Sequence, residues 1–439
     1  VFLMEESYKL KRATYHLYTF MISKLISTFG AQVYAFAISF YILQLTGSAT
    51  SFATNLLCNM LPRTLAAPFA GAITDRYSRK MIVIVSQITT TLAITGLLIY
   101  TLTSGLSLLA IYITTCILSL TSMFSGIAFT SSITGLIDRP RIQKAMAMNQ
   151  MAISFAAIGS PAVGGLLYGT VPIPVFLIMF IVASILAVIL ESTMNFRLFS
   201  ALTTAKEEGE KKESMWQSMK AGISYLRFQS TILVMLWISL LINFLFGAFE
   251  VGYSFILIEN LKMQSQHFGF TQGALSLGML LMSIYFSARK EVRFPLLVSK
   301  WGIVCIGAVM GAISLPLILS MGYWAVFTYY MILMFCFGSL IIIINTPLQV
   351  MFQKTIDDEY KGRVFSIIET MSMALTPLGM VIYGILYDLF PGEWILLLSA
   401  GMLIIVTLIM ARPSVIRKVH PEMEGEKAVR AVETGTVAR

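Results

Sequence analysis

Charge is scarce in this chain: 12% of its 439 residues are Asp, Glu, Lys or Arg. A soluble domain carries about 25%, so a water-soluble globular fold is excluded. Histidine is rarer still, and His16, His267 and His420 are far apart in sequence. Cys58, Cys116, Cys305 and Cys336 lie singly inside apolar stretches without metal-ligand spacing, and read as buried thiols. No metal site and no cofactor is expected. The sequence has no G-x-S-x-G and no acidic metal-binding motif, so a membrane-embedded hydrolase or transferase would lack its nucleophile–base pair. The chain does not read as an enzyme.

What fills it instead is apolar sequence. Hydrophobic residues make up 57% and the mean hydropathy is +0.80, the profile of a polytopic helical membrane protein. At about 20 residues per crossing, the first six spans fall at about 16–44, 49–73, 80–102, 106–135, 145–169 and 173–195. The second six fall at about 231–258, 268–288, 297–319, 323–350, 364–388 and 393–411. A net charge of +9 would suit a nucleic-acid partner, but the placement of the cations argues against one. Lys and Arg gather before span 1 and after spans 2, 4, 6, 8, 10 and 12. The other connections hold none, except Lys262 after span 7. The positive-inside rule then puts both termini in the cytoplasm and the protein in the cell (cytoplasmic) membrane. The polar start (Glu5, Glu6, Lys9, Lys11, Arg12) and the long first apolar run read as no cleavable signal.

Four segments are expected: a six-helix bundle over 1–196, a linker over 197–230, a second bundle over 231–411 and a polar tail over 412–439. Within the linker, AKEEGEKKES is a solvated mixed-charge run. After it, Trp216, Met219, Ile223 and Leu226 recur at helical spacing, with Lys220 and Arg227 for the water side, as in a helix lying on the inner membrane surface. The halves also repeat. Arg79-Lys80 follows span 2 and Arg289-Lys290 follows span 8; Ile137-Asp138 is matched by Ile356-Asp357, and Ser160-Pro161 by Thr376-Pro377.

The stretch that organises the chain is GAITDRYSRK, between spans 2 and 3. Gly71 permits close helix approach. Asp75 can face a helix N-terminus or an arginine, and Arg76, Arg79 and Lys80 hold the turn on the cytoplasmic side. The spacing G-x-x-x-D-R-x-x-R-K resembles the loop between helices 2 and 3 of the major facilitator superfamily, which usually has glycine where Ser78 stands. Span 5 contains GSPAVGG. Its Gly159, Pro161, Gly164 and Gly165 form a packing hinge, similar to the family's span-5 antiporter motif, with Ser160 replacing the usual glycine before proline. Gly362 and Arg363 in EYKGRVFS resemble the loop before span 11 in the branch that includes macrolide-efflux proteins. LTGSA (Leu45 to Ala49), Asn345-Thr346-Pro347 and Gln353 have the same look. The resemblance implies an all-α integral membrane fold of twelve transmembrane helices in two pseudo-symmetric six-helix bundles. It also implies alternating access and an assembly that needs only one chain.

Ionisable residues inside spans are costly unless paired or wet. Lys24 and Arg63 lie about 13 and 16 Å from the inner ends of their helices, and Glu369 about 8 Å. An Arg63–Glu369 pair is a candidate inner gate, beside the plain reading of a structural ion pair. Glu250, with Asn243, Phe244, Phe246, Phe249 and Tyr253 around it, is a candidate proton carrier or cation site; an acid at the water boundary is the bland alternative. Glu191 and Asp388 read as snorkelling or capping near span ends. Many drug–proton antiporters of the family carry an arginine in span 4, and CILSLTSMFSGIAF has no charge. Proton coupling would then need Lys24 or Arg63 in its place.

The expected function is secondary active export of amphiphilic drugs or related compounds in exchange for protons, with Glu250 as the leading acid. The alternative is an anionic amphiphile such as a lysophospholipid or siderophore, held by Lys24 and Arg63. A receptor or scaffold on the same fold is the reading without transport. The expected partners are the amphiphilic substrate, protons and membrane lipid.

Overall fold

The computed structural model describes residues 2–138, 141–199, 224, 230–288, 292–355 and 374–419. All regular structure among them is helical. The first six helices are α1 (Phe2–Thr46), α2 (Ala49–Arg76), α3 (Arg79–Ser104), α4 (Leu108–Leu136), α5 (Ile142–Thr170) and α6 (Ile173–Ser192). After them come α7 (Ser230–Phe255), extended by a π-turn over Ile256–Asn260, α8 (Ser265–Ala288) and α9 (Pro295–Ala312). The last are α10 (Tyr323–Thr355), α11 (Thr376–Leu389), α12 (Gly392–Met410) and the short α13 (Pro413–Val419).

Breaks between helices follow local chemistry. Gly47 (φ 58°) turns the chain after α1, and the Ser48 side chain accepts the Ser51 N–H to cap α2. Gly105 (φ 78°) ends α3, and Ser107 caps α4 through the Ala110 N–H. Proline opens α9 at Pro295. Ten helices among the described residues are long and apolar enough to cross a membrane. α2 and the shorter apolar α11 occupy the remaining two expected span positions. Large apolar side chains point outward all round, with Leu109 at 69% and Leu398 at 71% exposure. Such a surface demands lipid rather than water.

The helices group into two compact units. One comprises Val1–Lys211 with Leu257–Gly273, the other Lys212–Ile256 with Ala274–Arg439. In the first, α1 packs on α5 and α6, α2 on α4, and α3 on α4 and α6. In the second, α7 packs on α11 and α12, and α9 on α10 and α12. Adding six to each number of the pairs 1–5, 1–6, 3–4 and 3–6 gives the second set, so the weak sequence repeat is a repeat of packing. The contact grouping places Leu257–Gly273, drawn in the second bundle by sequence, with the first unit. The expected surface helix of the linker, residues 420–439 of the tail, and Glu369, Gly362 and Arg363 lie outside the described residues.

Candidate functional site

The turn between α2 and α3 closes one end of the first unit. Arg79 Nη1 donates to the Ser131 carbonyl at 2.5 Å. Lys80 Nζ donates to the carbonyls of Ser192 and Met194 at 2.8 and 2.9 Å. Arg12 adds a bond to Thr193 O at 3.0 Å. His16 accepts the Asn195 N–H at Nε2 (3.1 Å), which leaves its proton on Nδ1 to donate to Leu136 O at 3.0 Å. These donors satisfy carbonyls at or near the C-terminal ends of α4 and α6, where the helix dipole also favours cations. Beneath them lies an apolar core of Leu17, Phe20, Val83, Phe129, Ile133 and Met194. The backbone of Gly71, Asp75 and Arg76 forms the end of α2; their side chains lie outside the described set.

Lys24 and Arg63 have different surroundings. Lys24 is attracted by Glu191 of α6. Glu191 is 1% exposed and accepts a 2.7 Å hydrogen bond from Ser23 Oγ. The sequence reading of Glu191 as a snorkelling or capping group therefore gives way to a buried carboxylate with one oxygen held by Ser23, Lys24 as the neighbouring cation, and Oε2 without a hydrogen-bond partner among the described residues. Its α6 position is covered by α1, which shields it from the boundary. Arg63 is exposed and lines a 110 Å³ cavity with Asn55, Asn59, Thr115, Ser119 and Ser122. Thr115 donates to Asn55 Oδ1 at 3.0 Å, and Ser119 to the Asn59 carbonyl. The cavity between α1, α2 and α4 thus has a polar side built by α2 and α4, with a cation at its edge, facing a largely apolar side on α1.

The span-5 motif is a close-packed seam. Gly159 and Gly164 face Phe29 and Phe36 of α1; a Cβ on Gly164 would lie 2.9 Å from the Phe36 ring. Gly165 lies against the Ser265 carbonyl, and Gly269 against the carbonyl of Pro161. A side chain at either position would overlap backbone. Ser265 Oγ completes the seam with a 2.9 Å bond to Gly165 O. Ser160 donates to Gln32 Oε1 at 3.0 Å, which gives this departure from the family pattern a partner on α1.

In the second unit, Glu250 is half-buried on α7. It stands beside a run of rings: Phe249 stacks on Phe337 at 4.1 Å and on Tyr253 at 5.5 Å, and Phe246 tilts against both Phe249 and Phe337. Tyr253 is 3% exposed, so it supports the ring stack from within. Across α7, Gly247 meets Gly379, and Tyr387 donates to Ala248 O at 2.8 Å. Asn243 precedes Glu250 by seven residues, close to two turns, so both occupy one face of α7 about 10 Å apart.

Asn243 also lines a 280 Å³ cavity between α7, α9, α10 and α12. Its wall is mainly Ile and Leu, with Ser239, Ser299, Lys300, Asn345 and Thr407 as polar members. Lys300, only 8% exposed, was missed by the sequence reading. The signal was there: a lysine inside the span drawn at about 297–319.

A helical membrane protein of two repeated units, each enclosing a cavity, is the class that this architecture defines. The sequence pattern of the Major Facilitator Superfamily matches residues 20–376, and the chain belongs to that family of membrane transporters. It is 22% identical over 405 residues to macrolide efflux protein A of Streptococcus pyogenes, covering 91% of this chain and 96% of that protein. It is 25% identical over 401 residues to the uncharacterized MFS-type transporter YfiS of Bacillus subtilis, covering 90% and 92%. In fold it is similar to a bacterial homologue of the iron transporter ferroportin in an inward-facing state. The TM-score is 0.65 at 15% identity, over 90% of this chain and 98% of that one.

Proposed function

We propose that this transporter exports amphiphilic drugs by alternating access, in exchange for protons, with Glu250 as the acid that couples the two. The observation that carries the reading is the placement of Glu250: a carboxyl group on a membrane helix beside stacked aromatic rings. Aromatic faces and a carboxylate attract an amphiphilic cation, and a carboxyl group at that depth can exchange a proton for it. The likeness to macrolide efflux protein A supports the same substrate class. Asp75 with Arg76, Arg79 and Lys80 would stabilise the state closed to the cytoplasm, and an Arg63–Glu369 pair would form the inner gate. Both termini would be cytoplasmic and one chain would suffice.

Anionic amphiphiles are the second reading, favoured by Arg63 at the edge of the polar cavity. Lys24 contributes less to it, because Glu191 already offsets its charge. Flux in proteoliposomes under an imposed pH gradient separates the readings, with a cationic macrolide and an anionic lysophospholipid as test substrates. Drug export predicts gradient-driven macrolide movement that is lost in Glu250→Gln. Lipid movement that survives Glu250→Gln and fails in Arg63→Gln would make the anion reading primary.

A further inference from the structure

We infer that the cavity between α7, α9, α10 and α12 is a binding site for a single-chain amphiphile with an anionic head, the head seated on Lys300. The inference does not rest on the exporter reading. Three observations carry it. First, Lys300 lines the cavity and is 8% exposed, so its ammonium does not reach out to bulk water as a snorkelling lysine does. Second, the described lining holds no acid to compensate it; its ammonium stands 5.8 Å from the centroid of the Trp301 ring, a weak cation–π contact that is not a counter-charge. A buried cation without a counter-charge is costly in a membrane, and an anionic ligand removes that cost.

Third, the remaining polar groups favour an acceptor-rich ligand. The hydroxyls of Ser299 and Thr407 donate to the carbonyls of Ile344 and Leu403 at 3.0 and 2.7 Å. The amides of Asn243 and Asn345 each give one N–H to the carbonyl four residues back, at 2.9 and 3.0 Å. Each amide nitrogen has a second N–H, and these add to the three of the ammonium. A carboxylate or phosphate oxygen accepts such donors. The rest of the wall is aliphatic apart from Ser239 and Phe246, and 280 Å³ is close to the lower bound of about 300 Å³ for ligand pockets. That suits a charged head and part of one aliphatic chain. It does not suit a two-chain lipid.

Lys300 sits on the first turns of α9, at the end of the cavity where α9 begins and α12 ends; from there the cavity runs along the middle of α7 and the second half of α10. Its ligand therefore comes from one leaflet, or from the water next to it.

The test uses the full-length protein in nanodiscs of neutral lipid at mildly alkaline pH. The fluorescent polyene cis-parinaric acid is the probe, competed with oleate, oleoyl lysophosphatidate or uncharged monoolein. Saturable binding is expected, displaced by oleate, by lysophosphatidate or by both, and not by monoolein. Which anion competes better tells a fatty carboxylate from a lipid phosphate. Lys300→Met should weaken binding about tenfold or more, the equivalent of one charge-assisted hydrogen bond. Lys300→Arg should restore it, and Ile303→Trp, which fills the cavity, should abolish it. Equal displacement by monoolein, or unchanged affinity in both Lys300→Met and Ile303→Trp, would overturn the inference.

Discussion

The two units treat their ionisable side chains differently. In the first, Arg12, Arg79 and Lys80 bond to helix-end carbonyls, Arg141 pairs with Asp138 at 2.6 Å, and Lys24 is set against Glu191. In the second, Glu250 stands beside aromatic rings and Lys300 lines a mainly aliphatic cavity whose described lining holds no acid. A charge in a membrane protein costs several kcal/mol unless compensated. Compensation by fixed neighbours turns that cost into architecture. Where the described surroundings supply no opposite charge, a mobile partner such as a proton, substrate or lipid can supply it. The comparison therefore separates groups that hold the fold from groups positioned to work.

The largest expected effect falls on the working side. Glu250→Gln keeps size and shape but cannot release a proton, so gradient-driven drug flux should fall on the order of a hundredfold or more. The purified variant should elute and melt like wild type. A large loss of thermal stability would move Glu250 to the architectural group and break the comparison.

The next effects fall on the packing of the first unit. Gly165→Val and Gly269→Val each force a side chain into backbone. Overpacking of this kind costs about 1–3 kcal/mol or more, to be read as a lower melting midpoint in detergent. Wild-type melting in both would mean that the α5–α8 seam is looser than its geometry. Ser23→Ala should also lower the midpoint, because a buried carboxylate oxygen loses its donor at a cost of about 1–3 kcal/mol. If Glu191 instead has a coupling role, Ser23→Ala will alter flux before it alters stability. The smallest effect belongs to Lys80→Met. It removes a cation from exposed helix ends and should cost about 1 kcal/mol or less, the loss shrinking at high salt.

Much of the fold was legible because the bilayer imposes a coarse code. Apolar runs of fixed length and the alternation of basic connections locate helices without any knowledge of their packing. The repeat was visible in Ser160-Pro161 and Thr376-Pro377, and recurs as the shared pairing of α1 with α5 and α7 with α11. The seam at Gly165 was readable because only a residue without a Cβ permits such contact. Other features depend on which helix stands opposite, and one-dimensional spacing does not encode that. Glu191 looked like a boundary residue until Ser23 of α1 was found against it. Lys300 was not singled out at all, and the cavity it lines is built with α7, α10 and α12, all remote in sequence.

The most direct test of the contrast is proton-driven flux of a cationic macrolide in proteoliposomes containing wild type, Glu250→Gln or Glu191→Gln. Thermal midpoints are taken on the same preparations. The account predicts that Glu250→Gln loses flux at wild-type stability, while Glu191→Gln loses stability and keeps flux per folded molecule. The reverse pattern would contradict it, by making the compensated carboxylate the working one.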